Sequence, residues 1–315
     1  MIVKRQRHLL WVVTVLVAGG CDAGPAEPMA VSLSPAATAY LNDALDIMQF
    51  NSLTRDEFDW VAFRSTSMAE AEAAMAQSVA DIHPMIIAAL VRLGDNHSFF
   101  LGPGGQQAPP GERGGTESDR QLATEPMSQL LEAGVGYVDM PPFAGGGPEG
   151  NALAMSYHGL IEAVDTIAPM CRWVVDLRGN TGGNMWPMIA GVGPILGEGT
   201  LGSFVYPDSV VSPWFYENGQ AGVDSFVVAA ADNAYVLKSP SPRVAVLTDS
   251  LTASSGEAVA VAFRGRDSAR SFGGGTWGVS TANAMFPLAD GAVIFLTIAT
   301  MADRTGQVYG EELIP

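Results

Sequence analysis

The sequence has 315 residues, of which 33 are acidic and 16 are lysine or arginine, so its formal net charge at pH 7 is −17. Phosphate backbones and anionic lipid headgroups repel such a chain. The charge therefore argues against nucleic-acid binding and against electrostatic attraction to a membrane. The length suffices for one large domain or for two modest ones.

The first 20 residues have the pattern of an export signal. Lys4, Arg5 and Arg7 precede an apolar run at residues 9–18, which is too short to cross a bilayer comfortably. The small residues directly before Cys21 resemble the processing site of a bacterial lipoprotein, where the cysteine becomes a lipidated N-terminus. The alternative is an ordinary secretory signal in which Cys21 is incidental. We predict export, a lipid anchor at Cys21 in the membrane of the bacterial cell envelope, and a flexible tether over residues 21–34.

The second cysteine, Cys171, has no partner for an internal disulfide once Cys21 is lipidated. It lies in a mainly apolar run at residues 170–175, which predicts a small side chain buried in the core. The histidines and cysteines do not have the spacing of a zinc site, so we predict neither a metal nor a cofactor.

Helix-forming residues with helical apolar spacing predominate after the tether. A helix is predicted to begin at Pro84 and to end at Gly94. We assign residues 35–101 to a helical N-terminal segment. Residues 102–133, which are rich in glycine, proline and glutamine, predict a flexible loop.

The remaining sequence, residues 134–315, alternates predicted strands and helices. The main predicted strands are residues 135–140, 173–177, 244–248 and 292–299, and the main predicted helices are residues 152–167, 186–196 and 258–263. Such alternation is typical of an α/β core.

A candidate general base lies at the end of the N-terminal segment. His8 falls in the signal, and His83 and His158 fall in helical stretches. His97 instead lies in a polar turn, where local hydrogen bonds can hold an accessible imidazole as a proton shuttle requires. The alternative is an ordinary histidine in a surface loop. Its neighbour Asp95 is predicted to brace the turn.

A glycine-rich turn, RGNTGGN at residues 178–184, follows the strand predicted at residues 173–177. The N–H group of Gly182 or Gly183 can face a developing oxyanion, because glycine lets a substrate approach closely. A plain strand-to-helix turn is the alternative. The turn has neither a Walker lysine nor G-x-G-x-x-G spacing, which argues against a nucleotide.

The most informative segment is LTASSGE at residues 251–257, between a predicted strand and a predicted helix. This order places the hydroxyl of Ser254 beside the N–H groups of a helix N-terminus, which suits a nucleophile that must also stabilise an oxyanion. The alternative is that Ser254 is only a helix cap, with Glu257 completing a capping box. The G-x-S-x-G pattern is missing, which counts against an ordinary α/β-hydrolase.

Four motifs together resemble the tail-specific (C-terminal-processing) serine peptidases and their tricorn-core relatives. In the order of that family they are LGDNHS at residues 93–98, DLRGNTGG at 176–183, TASSGE at 252–257 and GGGTWG at 273–278. The resemblance implies that His97 is the base and Ser254 the nucleophile. It also implies an oxyanion hole formed by the N–H groups of Gly183 (or Gly182) and Ser255.

Departures from the family pattern refine this resemblance. The bacterial tail-specific branch has a lysine base shortly after the G-x-x-T-x-G turn, but here that position is Val279 and no lysine follows Lys238. The resemblance is therefore closer to the tricorn-like branch, in which a C-terminal glutamate holds the histidine. Glu311 or Glu312 would have that role. Too few residues separate His97 from the core for the PDZ domain that many members carry.

The resemblance implies a crotonase-like (ClpP/crotonase-type) α/β core of mixed β-sheet and helices, preceded by the helical N-terminal segment. The predicted function is an exported serine peptidase that hydrolyses peptide or protein substrates through Ser254 activated by His97. One alternative is a non-catalytic ligand- or peptide-binding module on the same fold. Another is an acyl-CoA enzyme, against which export and the acidic charge both argue, since coenzyme A is cytosolic and anionic.

Overall fold

Three helices open the part of the chain that a computed structural model describes, which is residues 32–108, 125–132, 134–167 and 170–315. The predicted signal, Cys21, most of the tether and residues 109–124 of the predicted loop lie outside these residues. Leu33–Pro315 forms one compact unit. The helices are α1 Pro35–Asn51, α2 Trp60–Ala73 and α3 Val79–Leu93, with a 3₁₀ turn at Arg55–Glu57.

The third helix begins earlier than predicted. Ser78 and Asp81 form a capping box at its N-terminus, in which the Ser78 hydroxyl accepts from the Asp81 N–H and the Asp81 carboxylate accepts from the Ser78 N–H. This reciprocal pair satisfies two N–H groups that a helix end otherwise leaves without partners. Pro84 therefore lies inside the helix and does not start it, so that prediction is wrong. The helix ends at Gly94, whose φ of 72° is a left-handed conformation that favours glycine.

The other helices are α4 Gly147–Asp165, α5 Met185–Leu196 and α6 Ser255–Phe263. The strands, in chain order, are β1 Phe99–Leu101, β2 Gln107–Ala108, β3 Met127–Leu131, β4 Val135–Asp139, β5 Arg172–Asp176, β6 Gly199–Val205, β7 Val211–Glu217, β8 Gln220–Val223, β9 Phe226–Ala230, β10 Arg243–Thr248, β11 Ala269–Gly273, β12 Thr281–Pro287 and β13 Val293–Asp303. The predicted elements at residues 135–140, 173–177 and 186–196 are thus present as β4, β5 and α5. The predicted loop contains both β2 and β3, which sequence patterning missed.

The strands form two sheets. The larger has the order β2-β1-β13-β6-β7-β8-β9, with β12 also paired with β13. The smaller has the order β11-β10-β5-β4-β3, in which only the β3–β4 pair is antiparallel. Helix α6 contacts β10 and β11 of the smaller sheet and β6 and β13 of the larger sheet. All nine of its residues are buried, so this helix belongs to the core between the sheets.

The parallel strands position the candidate site. Because β4, β5 and β10 run in the same direction, the turns after their carboxyl ends lie at one edge of the smaller sheet. These turns contain Phe143, the glycine-rich turn at residues 178–184, and Ser254. Open α/β sheets commonly bind their ligands at this edge.

The larger sheet and the N-terminal helices supply the other half of the site. Leu45, Ile82 and Ile86 are buried in a second hydrophobic cluster together with Ile294 and Leu296 of β13. Burying each such side chain contributes about 1.5–3 kcal/mol relative to leaving it exposed. This packing holds the end of α3 against the larger sheet.

Two further features concern sequence predictions. Cys171 is exposed just before β5, so the prediction that it is core filler is wrong. The apolar character of its neighbours reflects burial of Trp173 and Val175, which alternate along the strand. Of the helices in the described ranges, none is long and apolar enough to cross a membrane.

Candidate active site

The turn that carries His97 is held by the carboxylate of Asp95. Its Oδ1 accepts from the N–H groups of His97 at 2.9 Å and Ser98 at 2.7 Å, and its Oδ2 accepts from the Ser98 hydroxyl at 2.5 Å. Asn96 has a φ of 57°, which lets the chain reverse between the end of α3 and β1. The prediction that Asp95 braces this turn is confirmed. The Asn283 side-chain amide also donates to the His97 carbonyl at 2.9 Å, which ties the turn to β12.

Ser254 lies in a sharp turn between β10 and α6. Its φ of 52° and ψ of −113° are rare for a residue with a side chain, and such backbone conformations occur mostly where function requires them. Gly182 leaves room for the turn, since a Cβ atom there would lie 2.9 Å from the Ser254 Cβ. The Ala253 N–H donates to the Asn180 carbonyl at 2.9 Å. This turn presents the Ser254 hydroxyl as G-x-S-x-G elbows do, without their glycine pattern.

The carboxylate of Glu257 braces the backbone of the Ser254 turn. It is fully buried and accepts four hydrogen bonds. The donors are the Ser254 N–H at 2.8 Å, the Thr276 hydroxyl at 2.5 Å, and the N–H groups of Gly278 and Val279 at 3.0 Å each. Burial raises the pKa of the Glu257 carboxyl, and the four hydrogen bonds oppose that shift. The side chain joins the backbone of the Ser254 turn to the GGGTWG motif.

The structure brings His97 and Ser254 together across 157 residues of sequence. The His97 Nε2 lies 3.0 Å from the Ser254 Oγ, and its Nδ1 lies 2.7 Å from the Thr281 Oγ1. For Nε2 to accept the Ser254 proton, Nδ1 must carry the imidazole proton and donate it to Thr281. Burial lowers the pKa of His97 to about 4, while the charge of Asp95 acts in the opposite direction. The imidazole is therefore neutral and able to accept a proton at neutral pH.

The group at Nδ1 corrects one prediction. Among the described residues, Thr281 and not Glu311 or Glu312 is hydrogen-bonded to Nδ1 of His97. Both glutamates are exposed, and Glu311 contributes only its backbone carbonyl, which accepts from the Ser280 hydroxyl at 2.7 Å. A threonine 184 residues away from its histidine carries no recognisable sequence signal, so motif comparison did not find it.

The predicted oxyanion hole is also refined. The Gly182 N–H donates to the Asn180 Oδ1 at 2.9 Å, so it is not free to bind an oxyanion and that assignment is wrong. The N–H groups of Gly183 and Ser255 have no acceptor among the described residues. The Ser255 hydroxyl donates to the Gly183 carbonyl at 2.8 Å and so links the two turns. Gly183 has a φ of 121°, and a Cβ atom there would lie 2.2 Å from the Phe143 carbonyl oxygen.

Three helices begin after the turns that follow β4, β5 and β10. Helix α6 begins at Ser255, α5 begins two residues after Gly183, and α4 begins at Gly147. The Asn184 side-chain amide donates to the Gly145 carbonyl at 3.0 Å, which joins the starts of α4 and α5. Helix N-termini carry partial positive charge and favour an anion. The surroundings of Ser254 thus favour a negative charge on a reacting oxygen.

The other two described histidines have structural partners. The His83 Nε2 lies 2.7 Å from Asp290, which also accepts from the Tyr40 hydroxyl. The His158 Nε2 donates to the Ala190 carbonyl at 2.9 Å, and its Nδ1 accepts from the Tyr235 N–H. In the described ranges, no group of three or more histidine, cysteine, aspartate or glutamate side chains is arranged to hold a metal ion.

Comparison with known sequences identifies the family. Residues 134–314 match Peptidase family S41. The chain belongs to this family. The family-matched region contains Gly183, Ser254 and Thr281, whereas His97 lies before it. Membership in Peptidase family S41 supports a serine peptidase that acts on peptides or proteins.

Relatives of this S41 chain extend over most of its length. It is 28% identical over 281 residues to the nisin-resistance protein of Lactococcus lactis subsp. lactis, an alignment that covers 87% of this chain and 80% of that protein. A lipoprotein from Streptococcus agalactiae has a similar structure, with a TM-score of 0.68, 22% identity, and coverage of 89% of this chain and 91% of that one. The photosystem II D1 C-terminal processing protease has a TM-score of 0.57, 14% identity, and coverage of 89% and 92%. These two structures show that the mixed α/β fold is shared.

Proposed function

We propose that this chain is an exported serine peptidase in which His97 activates Ser254 to cleave peptide bonds. The observation that carries the proposal is the 3.0 Å approach of the His97 Nε2 to the Ser254 Oγ. The Ser254 turn is strained, and the N–H groups of Gly183 and Ser255 have no acceptor in the part of the chain that the structure describes. A nucleophile and a base within hydrogen-bond reach, with a third group that orients the base, are what covalent acyl transfer requires. In this proposal Thr281 has the orienting role that the family resemblance assigned to a glutamate.

The proposed reaction has two half-reactions. The Ser254 Oγ attacks the carbonyl carbon of the scissile bond while Nε2 of His97 takes its proton. The N–H groups of Gly183 and Ser255 then donate to the oxyanion. The imidazolium returns its proton to the leaving amine, which yields an acyl-enzyme on Ser254. A water molecule, deprotonated by His97, hydrolyses that ester and restores both side chains. Removing one oxyanion donor typically lowers kcat about 10²- to 10³-fold.

Reaction with a serine-directed fluorophosphonate tests the proposal. The wild type is expected to be labelled at Ser254, and Ser254→Ala and His97→Ala are expected to lose labelling while they keep the same circular dichroism spectrum. Labelling that persists in Ser254→Ala would contradict the assignment of the nucleophile. An unlabelled, folded wild type that binds an apolar ligand tightly would favour the non-catalytic binding module on this fold.

Two properties of the substrate follow within this proposal. The chain is of the tail-specific, crotonase-like type, closer to the tricorn-like branch. It has too few residues between His97 and the core for the PDZ domain that would capture a peptide C-terminus, so short peptides are the expected substrates. The nisin-resistance protein among its relatives makes nisin the first peptide to assay. Mass spectrometry of nisin after incubation with wild type and with Ser254→Ala decides this point. Intact nisin in both samples would exclude nisin and leave other peptides to test.

Lipid anchoring at Cys21 is part of the same proposal. It is supported by the sequence before Cys21 and by the structural likeness to a lipoprotein from Streptococcus agalactiae. In a bacterial host, the wild type is expected to incorporate a labelled fatty acid and to sediment with membranes. Cys21→Ser is expected to do neither. Equal incorporation into both proteins would refute the anchor.

A further inference from the structure

A short segment near the end of the chain, residues 310–313, is hydrogen-bonded to two buried hydroxyl groups. The Ser280 hydroxyl accepts from the Gly310 N–H at 2.9 Å and donates to the Glu311 carbonyl at 2.7 Å. The Thr276 hydroxyl accepts from the Leu313 N–H at 2.8 Å, and the Thr276 N–H donates to the Leu313 carbonyl at 3.2 Å. The 310–313 segment is thus bound at two points, one within the GGGTWG motif at Thr276 and one just after it at Ser280.

Each of these hydroxyl groups is connected to a reacting residue through one intervening residue. The Thr276 hydroxyl donates its proton to Glu257, whose other carboxylate oxygen accepts from the Ser254 N–H. A hydroxyl has one proton and two lone pairs, so the Leu313 N–H occupies an acceptor site and leaves the proton for Glu257. Ser280 directly precedes Thr281, the residue that is hydrogen-bonded to His97.

Because Ser280, Thr276 and Leu313 are buried, water cannot easily replace the hydrogen bonds that they make. Ser280 is fully buried, and Thr276 is 4% exposed. Leu313 is 2% exposed and belongs to the main hydrophobic core, whereas its neighbour Ile314 is 62% exposed. Hydrogen bonds in such a dry environment are stronger than in water, and a buried polar group without a partner is unfavourable. Leu313 therefore anchors the 310–313 segment in the core, and the hydrogen bonds to Ser280 and Thr276 fix its position along the chain that it contacts.

We infer that the 310–313 segment is a positioning element that sets the relative placement of Ser254 and His97. It acts on Ser254 through Thr276 and Glu257, and on His97 through Ser280 and Thr281. The inference rests on the proposed function, because it concerns the rate at which Ser254 reacts. A displacement of about 1 Å in such a pair can lower a rate about 10²-fold.

The rate of fluorophosphonate labelling at Ser254 tests this inference. Leu313→Ala removes the buried anchor. Ser280→Ala removes a hydroxyl whose hydrogen bonds, among the residues that the structure describes, all go to the 310–313 segment. Both variants are expected to label at least about 10-fold more slowly than wild type, measured well below their unfolding temperatures. Ile314→Ala is the matched control, because it truncates an exposed side chain in the same stretch, and it is expected to label at the wild-type rate.

The labelling rate separates positioning from a purely structural role. A structural role would lower the unfolding temperature of Leu313→Ala and leave the labelling rate of the folded protein unchanged. Wild-type labelling rates in folded Leu313→Ala and Ser280→Ala would overturn the inference. If Leu313→Ala does not fold, Ser280→Ala decides alone, since it deletes one buried oxygen. An unlabelled wild type would refute the proposed function instead, so the two failures are distinguishable.

Discussion

The pH dependence of kcat/KM tests how His97 is held. Burial beside Ser254 lowers the pKa of His97 to about 4, and the partner at Nδ1 is an uncharged hydroxyl, which stabilises the imidazolium less than a carboxylate would. At pH 5 an imidazole with a pKa of about 4 is roughly 90% neutral, whereas one with the ordinary pKa of about 6.5 is roughly 3% neutral. We therefore expect kcat/KM to be nearly constant from pH 7 to pH 5 and to fall tenfold per unit below about pH 4.

The assay is hydrolysis of a fluorogenic peptide between pH 3 and pH 8 at substrate concentrations well below KM, since kcat/KM reports ionisations of the free enzyme. Fluorophosphonate labelling over the same range is a check that does not depend on the substrate. An acid limb between pH 6 and pH 7 would refute the reasoning, because it would mean that the imidazole is solvated or paired with a carboxylate.

The same shift affects folding, and its sign can be worked out. The folded pKa lies below the unfolded value of about 6.5, so the unfolded chain binds more protons between about pH 4 and pH 6.5. The free energy of unfolding is therefore expected to decrease as the pH falls through this window. Circular dichroism at each pH shows whether the protein is still folded where the rate is measured.

Four substitutions test the remaining contacts. Thr281→Val removes the acceptor at Nδ1 and should slow fluorophosphonate labelling about 10- to 100-fold, whereas Thr281→Ser keeps the hydroxyl and should label at the wild-type rate. A Thr281→Val variant that labels as fast as Thr281→Ser would contradict an orienting role. Glu257→Gln replaces one carboxylate oxygen with an NH2 group, which turns two accepted hydrogen bonds into donor–donor contacts. The free energy of unfolding, measured in urea melts, should fall by about 3–6 kcal/mol, and a loss below about 1 kcal/mol would contradict the bracing role of Glu257. Ser254→Gly relieves the strained turn, so it should abolish labelling yet raise the unfolding free energy by about 1 kcal/mol; a destabilised protein would show that the turn is not strained. Gly183→Ala places a Cβ against a carbonyl oxygen and should abolish labelling, whereas a wild-type rate would show that its N–H group binds no oxyanion.

Motifs in the sequence identified most of the candidate site because turns are local structures. The residues from Leu93 to Ser98 contain the helix stop, the carboxylate that braces the turn and the histidine, so Asp95 could be interpreted correctly before any fold was known. The same holds for Glu257, which follows Ser254 by one helical turn and accepts its N–H. The alternative in which Ser254 is a helix cap with Glu257 as its capping-box partner is compatible with a nucleophile, since Glu257 accepts from the Ser254 backbone and the hydroxyl lies 3.0 Å from His97 Nε2.

Predictions that depended on the surroundings of a residue were less successful. Cys171 lies in an apolar run, but its side chain is exposed because it lies just before β5, at the end of the strand that meets solvent. The N–H groups of Gly182 and Gly183 cannot be distinguished in a glycine-rich turn. Only the folded turn shows that Asn180 takes the N–H of Gly182. Proline is common at the first position of a helix, which is why the sequence pattern predicts that Pro84 starts α3, but the capping box at Ser78 begins the helix earlier.

The sequence by itself determined the chemical groups: a serine between a strand and a helix, a histidine in a braced turn, a glycine turn after a strand, and no lysine after Lys238. Only the tertiary structure decided how they meet. The turn that carries His97 is fixed against the larger sheet, whereas the turn that carries Ser254 lies at the edge of the smaller sheet. Thr281 and the 310–313 segment reach them from β12 and from the end of the chain. The reason is physical: a turn is set by dihedral preferences of adjacent residues, whereas a contact across 157 or 184 residues depends on how the helices and sheets pack.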